Sequence, residues 1–135
     1  MRIVSSGVVV GVLVTILVGC TDSAAPPPSG IVRIGVARLD APTTVALGAP
    51  VDAVLTVEVG GCVSFDHITA ARSGSQITLA AWGKTATLPP NAYCMDYLIQ
   101  EPHTYRLDPP FPTKFTIVVQ PIQFGVLLTR DVQVQ

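Results

Sequence analysis

Residues 51–59 read Val-Asp-Ala-Val-Leu-Thr-Val-Glu-Val, apolar at every odd position, with Asp52, Thr56 and Glu58 at even ones. A period of two puts Val51, Ala53, Leu55, Val57 and Val59 on one face of an extended strand and the polar residues on the other. Such a strand is stable only within a sheet that has one packed and one wet face. The chain after Gly30 must supply that sheet and something to cover it. No window there has the i, i+3, i+4, i+7 apolar spacing of a helix that would survive the prolines. Val, Ile and Thr are frequent instead, and turn residues recur at short intervals.

Seven strands are expected on this pattern. The first, over 31–39, points Val32, Ile34 and Val36 one way and Arg33 and Gly35 the other. Its phase slips at Arg38-Leu39, as at a bulge or a bend between sheets. The second is 51–59. After Gly60-Gly61 a third runs from Cys62 to Ala71, and the turn Arg72-Ser73-Gly74-Ser75 joins it to a fourth that carries Ile77, Leu79 and Ala81 inward. Residues 83–97, with Gly83, Pro89, Pro90 and Asn91, read as a long crossover. A fifth strand near 98–107 contains Pro102, which favours a sheet edge. Beyond Asp108-Pro109-Pro110-Phe111-Pro112, the sixth strand, 113–120, points Phe115, Ile117 and Val119 inward. The last, 122–134, aligns Phe124, Val126, Leu128, Val132 and Val134, with Arg130 on the same face as an exception at the rim. Residues 31–135 are thus expected to form an all-β, immunoglobulin-like two-sheet sandwich of about seven antiparallel strands, with an open barrel as the alternative.

Charge narrows the functional classes. Charged residues are only 13% of the chain. Arg2 is the single charge among the first nineteen residues, so the remainder carries seven Lys/Arg against nine Asp/Glu. These are scattered singly, so no basic stripe exists to neutralise phosphates, and nucleic-acid binding is disfavoured.

The N-terminal thirty residues are of another kind. Val8 to Val18 is an apolar run of the length of an export signal's hydrophobic region, shorter than the roughly 20 residues of a membrane-spanning helix. An uncleaved anchor helix is the alternative reading. The run closes on Leu17-Val18-Gly19-Cys20, which resembles the lipobox of bacterial lipoproteins: Leu three before the Cys, an aliphatic residue, then Gly. The resemblance implies a signal peptide at 1–19, diacylglyceryl transfer to the Cys20 sulfur, cleavage before Cys20 and acylation of the new amino group. It implies localisation in the cell envelope, lipid-anchored to a membrane. Thr21 leans toward the outer membrane if the cell is Gram-negative. Residues 20–30 would then be the lipidated Cys and a linker whose Pro26-Pro27-Pro28 favours a semi-rigid polyproline spacer.

The segment Gly61-Cys62-Val63-Ser64-Phe65-Asp66, with Arg72 to Leu79, Trp82-Gly83 and Cys94, resembles immunoglobulin-like domains of exported bacterial proteins of unknown function. The resemblance brings no activity with it.

With Cys20 set aside as the anchor, Cys62 and Cys94 are an even pair in an exported protein, for which a disulfide is the default. The competing reading is a small envelope protein that binds copper or zinc through Cys94, Met95, His103 and His67. Against it, the spacings lack the close pairing of structural zinc sites, and no His follows Cys94 closely as a cupredoxin-type copper loop requires. Ser64, Asp66 and His67 lie in one strand, where 67 faces away from 64 and 66, so no triad converges. No G-x-S-x-G, H-E-x-x-H or phosphate-binding Gly-rich loop occurs. The expectation is a non-catalytic binding or structural module with no cofactor, its partner another envelope protein reached through loops or a sheet edge. Trp82, Tyr93, Tyr97, Tyr105 and Phe111 are the candidate binding residues, because they fall in or beside loops.

Overall fold

The computed structural model describes residues 30–123 and 125–135. The signal segment 1–19, Cys20, the linker up to Ser29, and Phe124 lie outside the described residues. Nine strands form among those described: β1 (Ile31–Arg33), β2 (Gly35–Asp40), β3 (Thr44–Val45), β4 (Val51–Val59), β5 (Val63–Ser73), β6 (Gln76–Thr85), β7 (Ile99–Leu107), β8 (Lys114–Val119) and β9 (Leu128–Val134). They make two packed sheets and no helix. One sheet has six strands, in the order β1-β6-β8-β9-β3 with β5 also on β6, and the other has three, in the order β2-β4-β7. The all-β sandwich expected from the alternation is what the chain adopts.

β4 is the central strand of the smaller sheet, and its burial follows its sequence. Val51, Ala53, Leu55, Val57 and Val59 are buried, while Asp52 is exposed and Thr56 and Glu58 are half-exposed. Facing them are Ile77, Leu79 and Ala81 of β6, Phe115, Ile117 and Val119 of β8, and Val132 of β9. This one inter-sheet layer is the core, and no polar side chain is buried in it among the described residues. Removing a buried Leu or Ile from such a layer costs a transfer term plus a cavity term, about 2–5 kcal/mol.

Several expectations are corrected in detail. The single strand expected over 31–39 is two strands in different sheets, because the chain crosses between them at Ile34. Arg33 pairs with Trp82 of β6, and Gly35 pairs with Glu58 of β4. The Ile34 side chain is buried at the crossing. The phase slip is a bulge, but between Val36 and Arg38, one step before its expected place. β6 continues to Thr85, so the crossover is shorter than expected, running over 86–98. The last strand begins only at Leu128, and Val126 is exposed in the preceding loop rather than packed. Not every pairing is antiparallel: β6 with β8 and β3 with β9 run parallel. The long-range pairings that build the larger sheet thus arise from strands far apart in sequence, which alternation alone does not rank.

Other expectations hold. Pro102 sits opposite Thr56 in β7, an edge strand, where a missing N–H costs the sheet least. Gly74 takes φ +57° in the β5–β6 hairpin turn. Arg130 lies opposite Ile117 on the core side of β9 and is half-buried, with its Nε unpartnered.

Gly83 shows how tight the inter-sheet layer is. A Cβ there would lie 2.6 Å from Ile34 Cγ2, 2.7 Å from Val63 Cγ1 and 2.9 Å from the Ser64 carbonyl oxygen. Gly83→Ala should therefore destabilise by overpacking, by about 1–3 kcal/mol. Urea unfolding would show a lower midpoint with unchanged slope.

Candidate functional site

One end of the sandwich collects most of what the core does not use. β4 stops at Val59, and the chain turns through Gly61-Cys62 into β5 of the opposite sheet. Mutual backbone bonds between Gly60 and Val63, at 3.0 and 3.2 Å, close this turn. Gly61 has φ +60°, as a II′ turn requires of its first central residue. The turn carries Cys62, which bonds to Cys94 (S–S 2.01 Å, Cα–Cα 5.3 Å). The expected bridge is present, and it pins the 86–98 connection to the corner where the two sheets meet. Ala86 N–H donates to the Cys62 carbonyl at 2.7 Å, and Thr85 N–H donates to the Gly30 carbonyl at 2.6 Å. The described chain therefore enters the sandwich at this same corner.

Between these elements lies an open cleft of about 640 Å³. Val32 and Ile34 of the β1–β2 segment, Val63 of β5 and the 94–98 stretch form its walls. A second cleft, about 370 Å³, shares Gly35 and Glu58 with the first and is bounded by Gln120, Pro121, Ile122, Gly125 and Val126. The two connections thus flank one end of the fold. Large apolar side chains are exposed on both, alongside Thr87, Asn91, Asp96, Gln120 and Gln123: Tyr93 is 85% exposed, Val126 78%, Met95 67% and Leu98 67%. Leu88, Tyr97, Ile122 and Leu127 are exposed as well. Sequence reasoning picked out Tyr93 and Tyr97 but missed the aliphatic residues. The available signal was that 86–98 and 120–127 are apolar yet broken by proline and glycine, and so cannot be core strands.

The five aromatic candidates do not form one surface. Tyr93 and Tyr97 lie on the disulfide-end connection. Tyr105, opposite Ala53 on β7, faces inward and packs against the core. Phe111 is at the far end, stacked on buried Phe115 with ring centroids 4.6 Å apart, under the Arg72 guanidinium. Arg72 also donates to the Pro110 carbonyl at 2.9 Å and to that of Asp108, which ties this loop down. Both residues serve packing.

Trp82 is neither in a loop nor in the core. It lies on the outer face of the larger sheet, half-buried between Arg33, at 5.0 Å from its ring centroid, and His67, at 6.1 Å. Its Nε1–H donates to Thr69 Oγ1 at 2.9 Å. Arg33 reaches on to Gln120, donating to its Oε1 and its carbonyl, both at 2.9 Å. Partial burial lowers the guanidinium's pKa from its ordinary value. The layering follows from register, since Arg33 and His67 are both paired with Trp82 from opposite sides.

Among the described residues, Ser64, Asp66 and His67 do not form a triad and the four metal candidates do not converge. The bulge between Phe65 and His67 brings Asp66 Oδ2 within 2.5 Å of His67 Nδ1, whereas strict alternation would hold the two residues on opposite faces. Ser64 bonds instead to the Lys84 carbonyl at 3.5 Å. Of the proposed metal set, Cys94 is consumed by the disulfide and Met95 is exposed beside it. His67 stacks toward Trp82, and His103 stacks on Phe65 at 3.6 Å between centroids. Among the described residues, no three His, Cys, Asp or Glu side chains gather as a metal site.

No protein-family model, curated protein or solved structure matches the chain. The functional reading rests on the residues alone.

Two outcomes follow. Replacing Cys62 and Cys94 together by Ser should lower unfolding free energy by about 3–4 kcal/mol, from the loop the bridge closes. Denaturant titration measures it. At Gly60, a Cβ would overlap the Tyr97 carbonyl oxygen. Gly60→Ala should lift the 94–98 stretch off the corner, read as faster amide hydrogen exchange there with β4 protection retained.

Proposed function

We propose that this chain is an exported, lipid-anchored protein of the cell envelope whose β-sandwich is a non-catalytic binding or structural module. The observation that carries the reading is the Cys62–Cys94 bridge. Disulfides persist in oxidising compartments outside the cytoplasm. The bridge also accounts for two of the three cysteines, leaving Cys20 alone at the end of an apolar run. A lone Cys after Leu17-Val18-Gly19 is what lipid attachment needs. Two or three acyl chains, at about 0.8 kcal/mol per buried CH₂, make an anchor that does not let go on cellular timescales.

No helix among the described residues is long and apolar enough to cross a membrane. The domain on this reading is held at the surface by its N-terminal tether, at the outer membrane if the cell is Gram-negative, as Thr21 favours. Another envelope protein, reached through an exposed sheet edge such as β7, is a fitting partner class.

Cys20→Ser tests the anchor. The variant should lose labelling by radioactive palmitate and move from the membrane to the soluble fraction. A variant that keeps both its label and its membrane fractionation would sink the reading.

A further inference from the structure

The exposed large apolar side chains are not spread over the molecule. All of those given above for the disulfide end, together with Val32 and Ile99, sit in or beside the two connections there. Leu47, 82% exposed near the far end, is the exception. Scattered single apolar residues are ordinary on a protein surface, whereas a contiguous group marks a contact site. The connections themselves are poor in charge, with Glu58 and Arg33 on the strands beside them. Residues 86–98 and 120–127 contain one charged residue, Asp96. The far end holds the ion pairs Arg106–Asp108 and Lys114–Asp131, both at 3.5 Å.

The entry point of the chain selects the occupant. Gly30 is bonded to Thr85, so residues 1–29 join the domain at the apolar end and not at the charged one. Nine residues lie between Cys20 and Gly30, ten steps along the chain. At roughly 3.1 Å per residue a polyproline linker of that length spans about 30 Å, and such a short tether holds the tip at an effective concentration on the order of millimolar at the surface that carries Cys20.

From the shared position of tether and apolar tip, we infer that the disulfide end docks onto the lipid bilayer to which the chain is anchored, with residues 86–98 and the described residues 120–123 and 125–127 seated among the headgroups. This rests on the lipid-anchor reading above. The chemistry suits the place. Tyr93 and Tyr97 combine an apolar ring with a hydroxyl, as side chains at a membrane–water boundary do. Leu98, Met95, Val126 and Leu127 supply apolar area to the acyl boundary. With no basic cluster at the tip, docking is apolar and needs no anionic lipid. The disulfide and the Gly60–Tyr97 contact hold the larger connection in place before it meets the bilayer.

The test uses the full chain on phosphatidylcholine vesicles. Because Cys62 and Cys94 are bonded to each other, Cys20 is the only free thiol. A chain that cells leave unlipidated can therefore still be tethered through maleimide-bearing lipid. Mass spectrometry of Cys20 reads the anchor separately, so failure of the anchor and failure of the docking are distinguishable. In a Trp82→Phe background, Leu98→Trp and Val126→Trp report on the tip and Leu47→Trp on the far end. Brominated phosphatidylcholine should reduce emission of the two tip tryptophans by about twofold or more and leave the Leu47→Trp signal unchanged, at low and high salt alike. Tip emission no more quenched than that of Leu47→Trp overturns the proposal. Blue-shifted but unquenched tip emission also overturns it, and says that protein, such as a second copy of the chain, covers the tip. Should Trp82→Phe not fold, amide exchange of the tethered wild-type chain decides. Slowing across 88–98 on vesicles supports docking, and exchange equal to that of the untethered chain refutes it.

Discussion

Everything in this domain depends on the inner face of β4 being covered. Five apolar residues at alternate positions of one strand cannot be left in water, and β4 is the middle strand of a sheet only three strands wide. The layer opposite, built from β6, β8 and β9, supplies Leu79, Ile117, Phe115 and Val132. At roughly 25 cal/mol per Å² of apolar surface removed from water, this layer is the dominant favourable term for the described sandwich. The strands outside it have narrower tasks. β7 and β5 close one open side of the sandwich, where His103 stacks on Phe65, and Arg72 fastens the loop at the charged end.

The disulfide stands at the other place where the sheets are forced together. A two-residue turn carries the chain from β4 directly into β5 of the opposite sheet, so the sheets converge there. Such a corner leaves little room for side chains, which is why Gly60, Gly61 and Gly83 surround it. The crossover that begins next to it cannot be absorbed by either sheet. Bridging Cys94 to Cys62 gives that crossover a fixed position without burying it. Apolar residues are thus held outward at one end, an arrangement that costs solubility unless something covers them.

The sequence was legible in proportion to how local each feature is. Strand periodicity in 51–59, 76–82 and 113–120 needs only neighbouring residues, and all three strands point inward as their alternation requires. The edge role of β7 followed from Pro102, a property of one residue. The break at Ile34 was harder. Val32, Ile34 and Val36 keep a single alternation through the crossing, so nothing in the pattern signals that the partner strand changes from β6 to β4. The bulge at Asp66 was missed for the same reason, since one extra residue shifts a face without changing composition. The apolar residues Ile122, Val126 and Leu127 read as strand but lie exposed in a loop, because hydropathy does not distinguish a residue exposed in a loop from one packed in a core.

By itself the amino-acid sequence determined an all-β domain after Gly30, most of its core residues, the pairing of Cys62 with Cys94, and the expectation of an anchor at Cys20. These depend on period, on residue type, and on the even number of cysteines left once one is set apart. Only the tertiary structure decided which strands share a sheet, that Trp82 lies outside between Arg33 and His67, and that Tyr105 and Phe111 belong to packing. It alone placed Gly30, the 86–98 connection and the 120–127 loop at one end of the fold. The reason is physical: strand order and the meeting of loops depend on contacts between residues distant along the chain, and those are set by the packing of whole sheets rather than by any stretch of sequence.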